Sequence, residues 1–417
     1  MLKYSERMNK MDYQNLFHEE KDFAKDTFTE RMEEYGFKNM ARMELFLWDL
    51  ELYLQIQKIL GEKIVLKGGA ATQFYLPRDA QRTSVDIDML FYGSYQEIEE
   101  TLKKIENVLG ASDKLFHFTE HIPKNPKTTL PLHTYFVDIP SVLTSAERNK
   151  KDDEFSHQEL KIEFILQPQK IEFEKRTGEH LFAANSKWEY QLLPLNHLFA
   201  DKLTTMGCET IGVQNSRMDE QVKQFYDILM LTKNCISEID CVVVREKYKN
   251  LARVEWEMRK EEEYDLELVI ADVRKQLLRY EMADSGEDPE LKKYINDFHS
   301  LYLNSKVEYS PQSVACGAAL VRLMYELMLI GSGWEKLQQA LKIEKWLELS
   351  HLSGKEKGLK VREIRETLIR EFGSYSVIPV QILKGKNIKR IFWAVVDIDN
   401  LDEIEKMIMM EKQEVIN

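Results

Sequence analysis

The stretch that most restricts this chain lies at residues 66–91, LKGGAATQFYLPRDAQRTSVDIDMLF. A short apolar run enters the glycine pair Gly68 and Gly69, and a second apolar run follows carrying Asp86 and Asp88. Side chains of a strand alternate between its faces, so Asp86 and Asp88 share one face while Val85, Ile87 and Met89 share the other. Two carboxylates about 7 Å apart along a strand repel each other unless something positive lies between them. A divalent cation with oxygen ligands, Mg²⁺ or Mn²⁺, meets that need and bridges readily to phosphate oxygens. Glycines between a strand and a helix let backbone approach a phosphate, and the start of the helix offers free N–H groups to it. A tight turn followed by a water-facing strand would use the same residues, so the segment alone leaves two readings open.

The surrounding pattern predicts an α+β chain. Residues 27–60 read as helix, with Leu45, Trp48, Leu52, Ile56 and Leu60 at three- and four-residue intervals and Gly61 as the stop. A short strand at 63–67 runs into the glycines, a helix at 71–76 is stopped by Pro77, and an amphipathic helix covers 94–110. Strands are expected at 114–121, 132–139 and 159–166, with 144–158 an exposed polar loop; from 192 onward the pattern is mostly helical. Near the end, 376–398 reads as a β-hairpin turning at 384–387. A length of 417 residues implies two or three domains. The expected division is a helical segment 1–60, a catalytic core 61–175, a helical domain 176–250 completing the site, and a C-terminal helical region 251–417 ending in the hairpin.

Two metal ions in a phosphoryl-transfer site usually require a third carboxylate. Glu163, in the otherwise apolar LKIEFI, is the first candidate, and Asp138 in YFVDIP the second. His117 and His121 suggest a metal site less well, because four residues of strand separate them by roughly 13 Å. A basic or aromatic strand face near a substrate entrance suits them better. The four cysteines, Cys208, Cys235, Cys241 and Cys316, have no zinc-ligand spacing and read as reduced thiols.

A net charge of −13 excludes a protein that coats nucleic acid through many lysine–phosphate contacts, though not a local basic groove. The short basic runs 355–365 and 384–390 are either solvated faces or points of nucleic-acid contact. No stretch is expected to approach the roughly 20 apolar residues of a membrane helix, and the polar start MLKYSERMNKMDYQ carries no signal-peptide pattern. A cytoplasmic protein without membrane contact is the expectation.

Glycine pair, helix, Asp-x-Asp strand and later strand carboxylate together resemble the nucleotidyltransferase (polymerase β-like) superfamily. Within it the chain is similar to the AbiEii/AbiGii-type toxins, whose pattern runs K-G-G-[ST]-x-L…Y…R-x-S-x-D-[IL]-D. Lys67, Gly68, Gly69, Tyr75, Arg82, Ser84, Asp86 and Asp88 fit it, ADKLTTM resembles the third motif with Lys202, and KQFYDILML resembles the fourth with Lys223 and Asp227. Ala70 departs from the usual Ser or Thr, with Thr72 a possible substitute, and Gln224 replaces the first aspartate of the fourth motif. The resemblance spans about 64–231 and finds no counterpart for the last 170 or so residues.

The resemblance implies a metal-dependent transfer of a nucleoside monophosphate from a nucleoside triphosphate. Asp86, Asp88 and Glu163 would hold Mg²⁺ or Mn²⁺, with Glu163 alternatively the base for the acceptor hydroxyl. Lys202 would reach the β- or γ-phosphate, Lys67, Gly68, Gly69, Arg82, Ser84 and Lys223 would support nucleotide, and Asp227 would join the active site. Without the resemblance, Lys202 reads as a surface lysine, and Lys223 and Asp227 as an i,i+4 pair. The implied setting is the toxin of a toxin–antitoxin or abortive-infection phage-defence pair, with a cognate antitoxin and transfer RNA or another RNA as acceptor. Transfer to a protein or small-molecule hydroxyl uses the same core, and Ala70 and Gln224 leave room for a non-catalytic nucleotide- or partner-binding scaffold. A nucleotide-sugar glycosyltransferase would place a Rossmann-like domain before its Asp-x-Asp, and too little chain precedes Gly68 for that.

Overall fold

The computed structural model of the chain describes residues 13–110, 115–122, 131–148, 157–260, 262–349 and 352–416. The first residue of the expected strand at 114–121 and residues 149–156 of the expected polar loop lie outside them. The chain forms two compact units, Met1–Leu198 with Phe298–Val307, and Phe199–Asp297 with Glu308–Asn417.

In the first unit, helices α1 (Lys25–Tyr35) and α2 (Met40–Leu60) replace the single run expected over 27–60. Gly36 ends α1 in the left-handed conformation, and the Asn39 side chain accepts the Arg42 N–H to start α2. Strand β1 (Ile64–Lys67), the short helix α3 (Gly68–Gln73), β2 (Asp86–Phe91) and helix α4 (Tyr95–Leu109) follow. Next come β3 (Phe118–Glu120), β4 (Leu132–Pro140), β5 (His157–Leu166), β6 (Glu174–Gly178) and β7 (Ser186–Leu192). They form one mixed sheet in the order β3-β4-β5-β2-β1-β7-β6. β2–β5 and β1–β7 are parallel and the other neighbours antiparallel. The sequence pattern gave no sign of β6 and β7, whose residues EKRTG and SKWEYQL lack a long apolar alternation.

Helix α2 packs against β1, β2, β5 and β7, and every residue from 46 to 56 is buried. A helix buried on all sides must find partners for its polar groups. Glu51 accepts from the Phe17 and His18 N–H groups and pairs with His18 Nδ1 at 2.7 Å. Glu44 accepts from Ser141 Oγ, the Val142 N–H and Gln158 Nε2. Asp49 makes no such bond with either oxygen. Far along the chain, Phe298–Val307 returns to this unit: Tyr302 O accepts the Thr83 N–H at 3.1 Å, and Asn304 Nδ2 donates to Asp79 O at 3.2 Å.

The second unit is helical. It starts within α5 (Leu195–Thr204) and continues through α6 (Met218–Cys235), α7 (Cys241–Arg259), α8 (Leu266–Glu281) and most of α9 (Pro289–Tyr302). Then follow α10 (Pro311–Ile330), α11 (Trp334–Trp346), α12 (Gly354–Phe372), α13 (Val380–Leu383), α14 (Ile388–Val395) and α15 (Leu401–Ile416). Against expectation, α10 is long and apolar enough by length and composition to cross a membrane, with mean hydropathy 1.6. Its apolar window is 72% buried, against α6, α7, α8, α11 and α14, as the central helix of this unit.

The hairpin expected at 376–398 is not there; α13 and α14 occupy its place. Ile388, Ile391, Phe392 and Val395 recur at helical spacing and are buried, and Asn387 accepts the Arg390 N–H as a helix cap. The adjoining basic run turns inward: Lys386 pairs with Asp284 at 2.9 Å, and buried Arg390 donates to Glu281 O and Asp284. In the other run, Arg362 pairs with Glu366 at 2.8 Å and Lys360 with Glu363 at 3.3 Å.

Candidate active site

Register brings the carboxylates of the first unit together. Asp88 of β2 lies opposite Glu163 of β5 and Lys67 of β1, while Asp86 lies opposite Lys161. Opposed residues share a sheet face, so Lys67, Asp86, Asp88, Lys161 and Glu163 line one face. Ile87, Met89, Ile162 and Phe164 are buried on the other. On β4, Thr134 stands opposite Glu163, and its hydroxyl donates to Glu163 Oε1 at 3.2 Å. Lys161 Nζ lies 3.1 Å from the same oxygen.

The glycines make room for this row. Gly68 has φ +70°, and a Cβ there would fall 2.2 Å from Asp88 Oδ2 and 2.9 Å from Asp88 Cβ. A side chain at 68 would displace the carboxylate as well as strain the backbone. A Cβ on Gly69 would fall 2.5 Å from Arg82 Nη2 and 3.1 Å from Ser84 Oγ. Arg82 and Ser84 are themselves buried, and Arg82 Nη1 donates to Thr83 O at 2.9 Å, so the pair braces the glycine turn. Thr72 does not replace the hydroxyl missing at Ala70: its Oγ1 donates to Gly68 O at 2.9 Å within α3. Tyr75 donates to Leu193 O at 2.7 Å and holds α3 to the sheet's following segment.

Crowded negative charge sets the electrostatics. Burial, then the charges of Glu163 and Asp86, push the Asp88 carboxyl from its ordinary 3.8 up to about 7. Burial draws Lys161 down, but Glu163, Asp86 and Asp88 outweigh it and raise its pKa. Asp49 was missed in the sequence. Its carboxyl is raised well above the usual range by burial, then by the charges of Asp86 and Asp88. The signal was an acidic residue between Trp48 and Leu50 in a helix rich in apolar residues.

Asp138 shares the face of Glu163 but is opposite Glu159 and pairs with His157 Nε2 at 3.3 Å. His117 Nδ1 lies 3.1 Å from Glu106 Oε1, and the His121 ring meets Phe136 edge to face at 5.6 Å. Among the described residues no three His, Cys, Asp or Glu side chains converge, as they stand, on a point that could hold a metal ion.

In the second unit Lys202 is no surface lysine. It is buried, with Nζ 2.8 Å from Asp227 Oδ2 and 2.7 Å from Gln224 Oε1. Lys223 pairs with Glu220 at 2.6 Å, and Asp227 pairs with Lys202. Gln224, the departure in the fourth motif, supplies a neutral acceptor to the motif lysine.

The family model described as the nucleotidyl transferase AbiEii toxin of type IV toxin–antitoxin systems matches residues 53–304, more than half of the chain. The chain belongs to the AbiEii family of nucleotidyltransferase toxins. The match to this family takes in the sheet row, the glycine turn, Lys202, Asp227 and most of the segment returning at Phe298–Val307. No curated protein sequence matches this AbiEii-family chain. Among solved structures it is similar to JHP933 from Helicobacter pylori, at 16% identity and TM-score 0.35, over 72% of this chain and 98% of that one. It is also similar to MenT4, a nucleotidyltransferase toxin from Mycobacterium tuberculosis, at 13% identity and TM-score 0.35, over 70% of this chain and 98% of that one.

Proposed function

We propose that the protein transfers a nucleoside monophosphate from a nucleoside triphosphate to a hydroxyl of an RNA acceptor, transfer RNA first among them. It would act in the cytoplasm as the toxin of an abortive-infection, phage-defence pair held in check by a cognate antitoxin. The observation that carries the reading is the row Lys67–Asp88–Glu163 with Asp86 beside it, fitted against a glycine that only a bare backbone can occupy. A stability role does not explain such a row, because its like charges oppose one another.

The donor chemistry fits a hard divalent cation: three carboxylates on adjoining strands, all oxygen donors, with burial and then the neighbouring charges raising the Asp88 carboxyl to about 7. Convergence is incomplete while Glu163 engages Lys161 and Thr134. Asp86 and Asp88 would therefore hold Mg²⁺ or Mn²⁺, with Glu163 joining by turning from Lys161. Such a cation would supply neutralisation of the phosphate charge. Asp88, once ionised, or Glu163 accepts the proton of the attacking hydroxyl. The backbone at Gly68 and Gly69, fixed by Arg82 and Ser84, and the Lys67 ammonium flank the position for the triphosphate. In the second unit Lys202 is held by Asp227 and Gln224; that it would serve the departing pyrophosphate, with Lys223 in a supporting part, rests on the motif resemblance. Positioning and charge neutralisation are most of what this chemistry asks of a protein.

The test is label transfer. The full chain is incubated with each α-labelled nucleoside triphosphate, Mg²⁺ or Mn²⁺, and either total transfer RNA or a protein lysate, beside an Asp86→Ala/Asp88→Ala protein. Label on RNA only with intact aspartates is expected. Label on protein would move the acceptor to a protein hydroxyl. No label on either, with nucleotide still bound, would replace the reading by a small-molecule acceptor or a non-catalytic scaffold.

A further inference from the structure

The face that carries the carboxylate row continues beyond Glu163 onto β4 and the residues after β3. Phe136 stands opposite Lys161, one register step from the Thr134–Glu163 pair. The His121 N–H donates to Thr134 O at 2.8 Å, which sets His121 beside β4. The two rings meet edge to face, centroids 5.6 Å apart at 89°. Their neighbours of opposite parity on β4, Tyr135 and Val137, are buried in the core, whereas Phe136 is half-buried and His121 exposed. An aromatic pair on the polar face of the sheet, half-buried and exposed among the described residues, lies outside the core. It offers one ring face with a second ring as a wall.

We propose that Phe136, walled by His121, is the platform on which the terminal base of a single-stranded RNA acceptor stacks. The inference rests on the reading above, in which Lys67 and the glycine turn take the triphosphate. In-line displacement places the attacking hydroxyl and the leaving pyrophosphate on opposite sides of the phosphorus. The triphosphate lies toward β1, so the acceptor approaches across β5 and β4. Phe136 lies two strand spacings, about 10 Å, from the Asp86 and Asp88 strand. One nucleoside bridges that span, hydroxyl at the carboxylates and base on the ring. Lys161 and Glu163 lie between, where the ribose would cross. Stacking on a ring face tolerates any base.

The experiment uses the full chain and an oligoribonucleotide with 2-aminopurine at its 3′ end, whose fluorescence stacking quenches. Binding is read without turnover, and the affinity for nucleoside triphosphate is measured separately. Wild type should quench the probe. Phe136→Ala and Phe136→Leu should both lose the quench and weaken RNA binding about tenfold, with Phe136→Trp retaining both and triphosphate affinity changing less than about twofold. The leucine variant keeps the apolar volume, so a ring serving only packing would survive it. Unchanged quench and affinity in Phe136→Leu overturns the platform, as does a loss confined to triphosphate binding, which would give the ring to the incoming nucleotide. Wild type that labels protein and ignores RNA overturns the RNA-acceptor reading and the platform with it. Wild type that labels RNA while the Phe136 variants behave like it overturns the platform alone.

Discussion

Asn at position 88 should make this protein more stable while abolishing its activity, and only above a defined pH. Asp88 is raised from its ordinary 3.8 to about 7, by burial and then by Glu163 and Asp86. Between those values the folded chain binds a proton that the unfolded chain has released. Stability therefore falls as pH rises through the window, and above about 7 the folded state carries the full penalty of an ionised Asp88. Each pKa unit corresponds to about 1.4 kcal/mol, which puts the penalty at up to about 4 kcal/mol. Asp88→Asn removes the charge without changing shape. Urea unfolding at pH 8 with chelator present, read through hydrogen exchange of β2 and β5, should show a gain of several kcal/mol. At pH 4 the gain should shrink toward zero, because wild-type Asp88 is then neutral in the folded state. A gain of equal size at both pH values, or none at pH 8, would refute the claim that the carboxylate row destabilises the fold.

Other expectations follow from single contacts. Asp227→Ala leaves the buried Lys202 ammonium with Gln224 as its named acceptor, and urea unfolding should show a loss of about 3–5 kcal/mol, most of it restored in Lys202→Met/Asp227→Leu. Gly68→Ala forces a Cβ to 2.2 Å from Asp88 Oδ2 at φ +70°, so label transfer should fall at least about tenfold. Gly69→Ala, whose Cβ meets the far end of the Arg82 side chain and Ser84 Oγ and carries no positive φ, should fall less. Glu44 is raised to about 7 by burial, in spite of three hydrogen bonds; it too lowers stability as pH climbs from 4.5 to about 7, by about 3 kcal/mol, and Glu44→Gln should flatten that part of the profile.

Much of the site was legible because its geometry is local. That Asp86 and Asp88 share a face follows from strand alternation, and the need for glycine at 68 from the turn that precedes them. The pairing of Glu163 with Asp88 joins residues far apart in sequence; spacing identified the residue type but not its register, which the parallel β2–β5 pairing sets. The stretch at 376–398 was misread because basic and turn-forming residues at 384–387 masked the helical spacing of Ile388, Ile391 and Phe392. Asp49, Glu44 and Glu51 fall between the apolar residues whose spacing marks the helix, and that spacing does not separate a buried acid from an exposed one. Their burial depends on α2 being enclosed on every side, a property of the packed unit rather than of the helix.

Lys161 ties these observations to the proposed chemistry. An ammonium 3.1 Å from Glu163, attracted also by Asp86 and Asp88, neutralises part of the row in the protein as it stands. A divalent cation held by Asp86 and Asp88 would bring charge that Lys161 already supplies, so the lysine and the cation compete for Glu163. Turning Glu163 from Lys161 toward the cation would exchange one charge partner for another. The freed ammonium, on the same face as Phe136, would then lie on the side from which the proposed acceptor would approach. There it would attract RNA phosphate rather than the protein's own carboxylate. On this account loading the site and preparing it for an anionic acceptor are one rearrangement of side chains, and the strain measured by Asp88→Asn is what makes the exchange favourable.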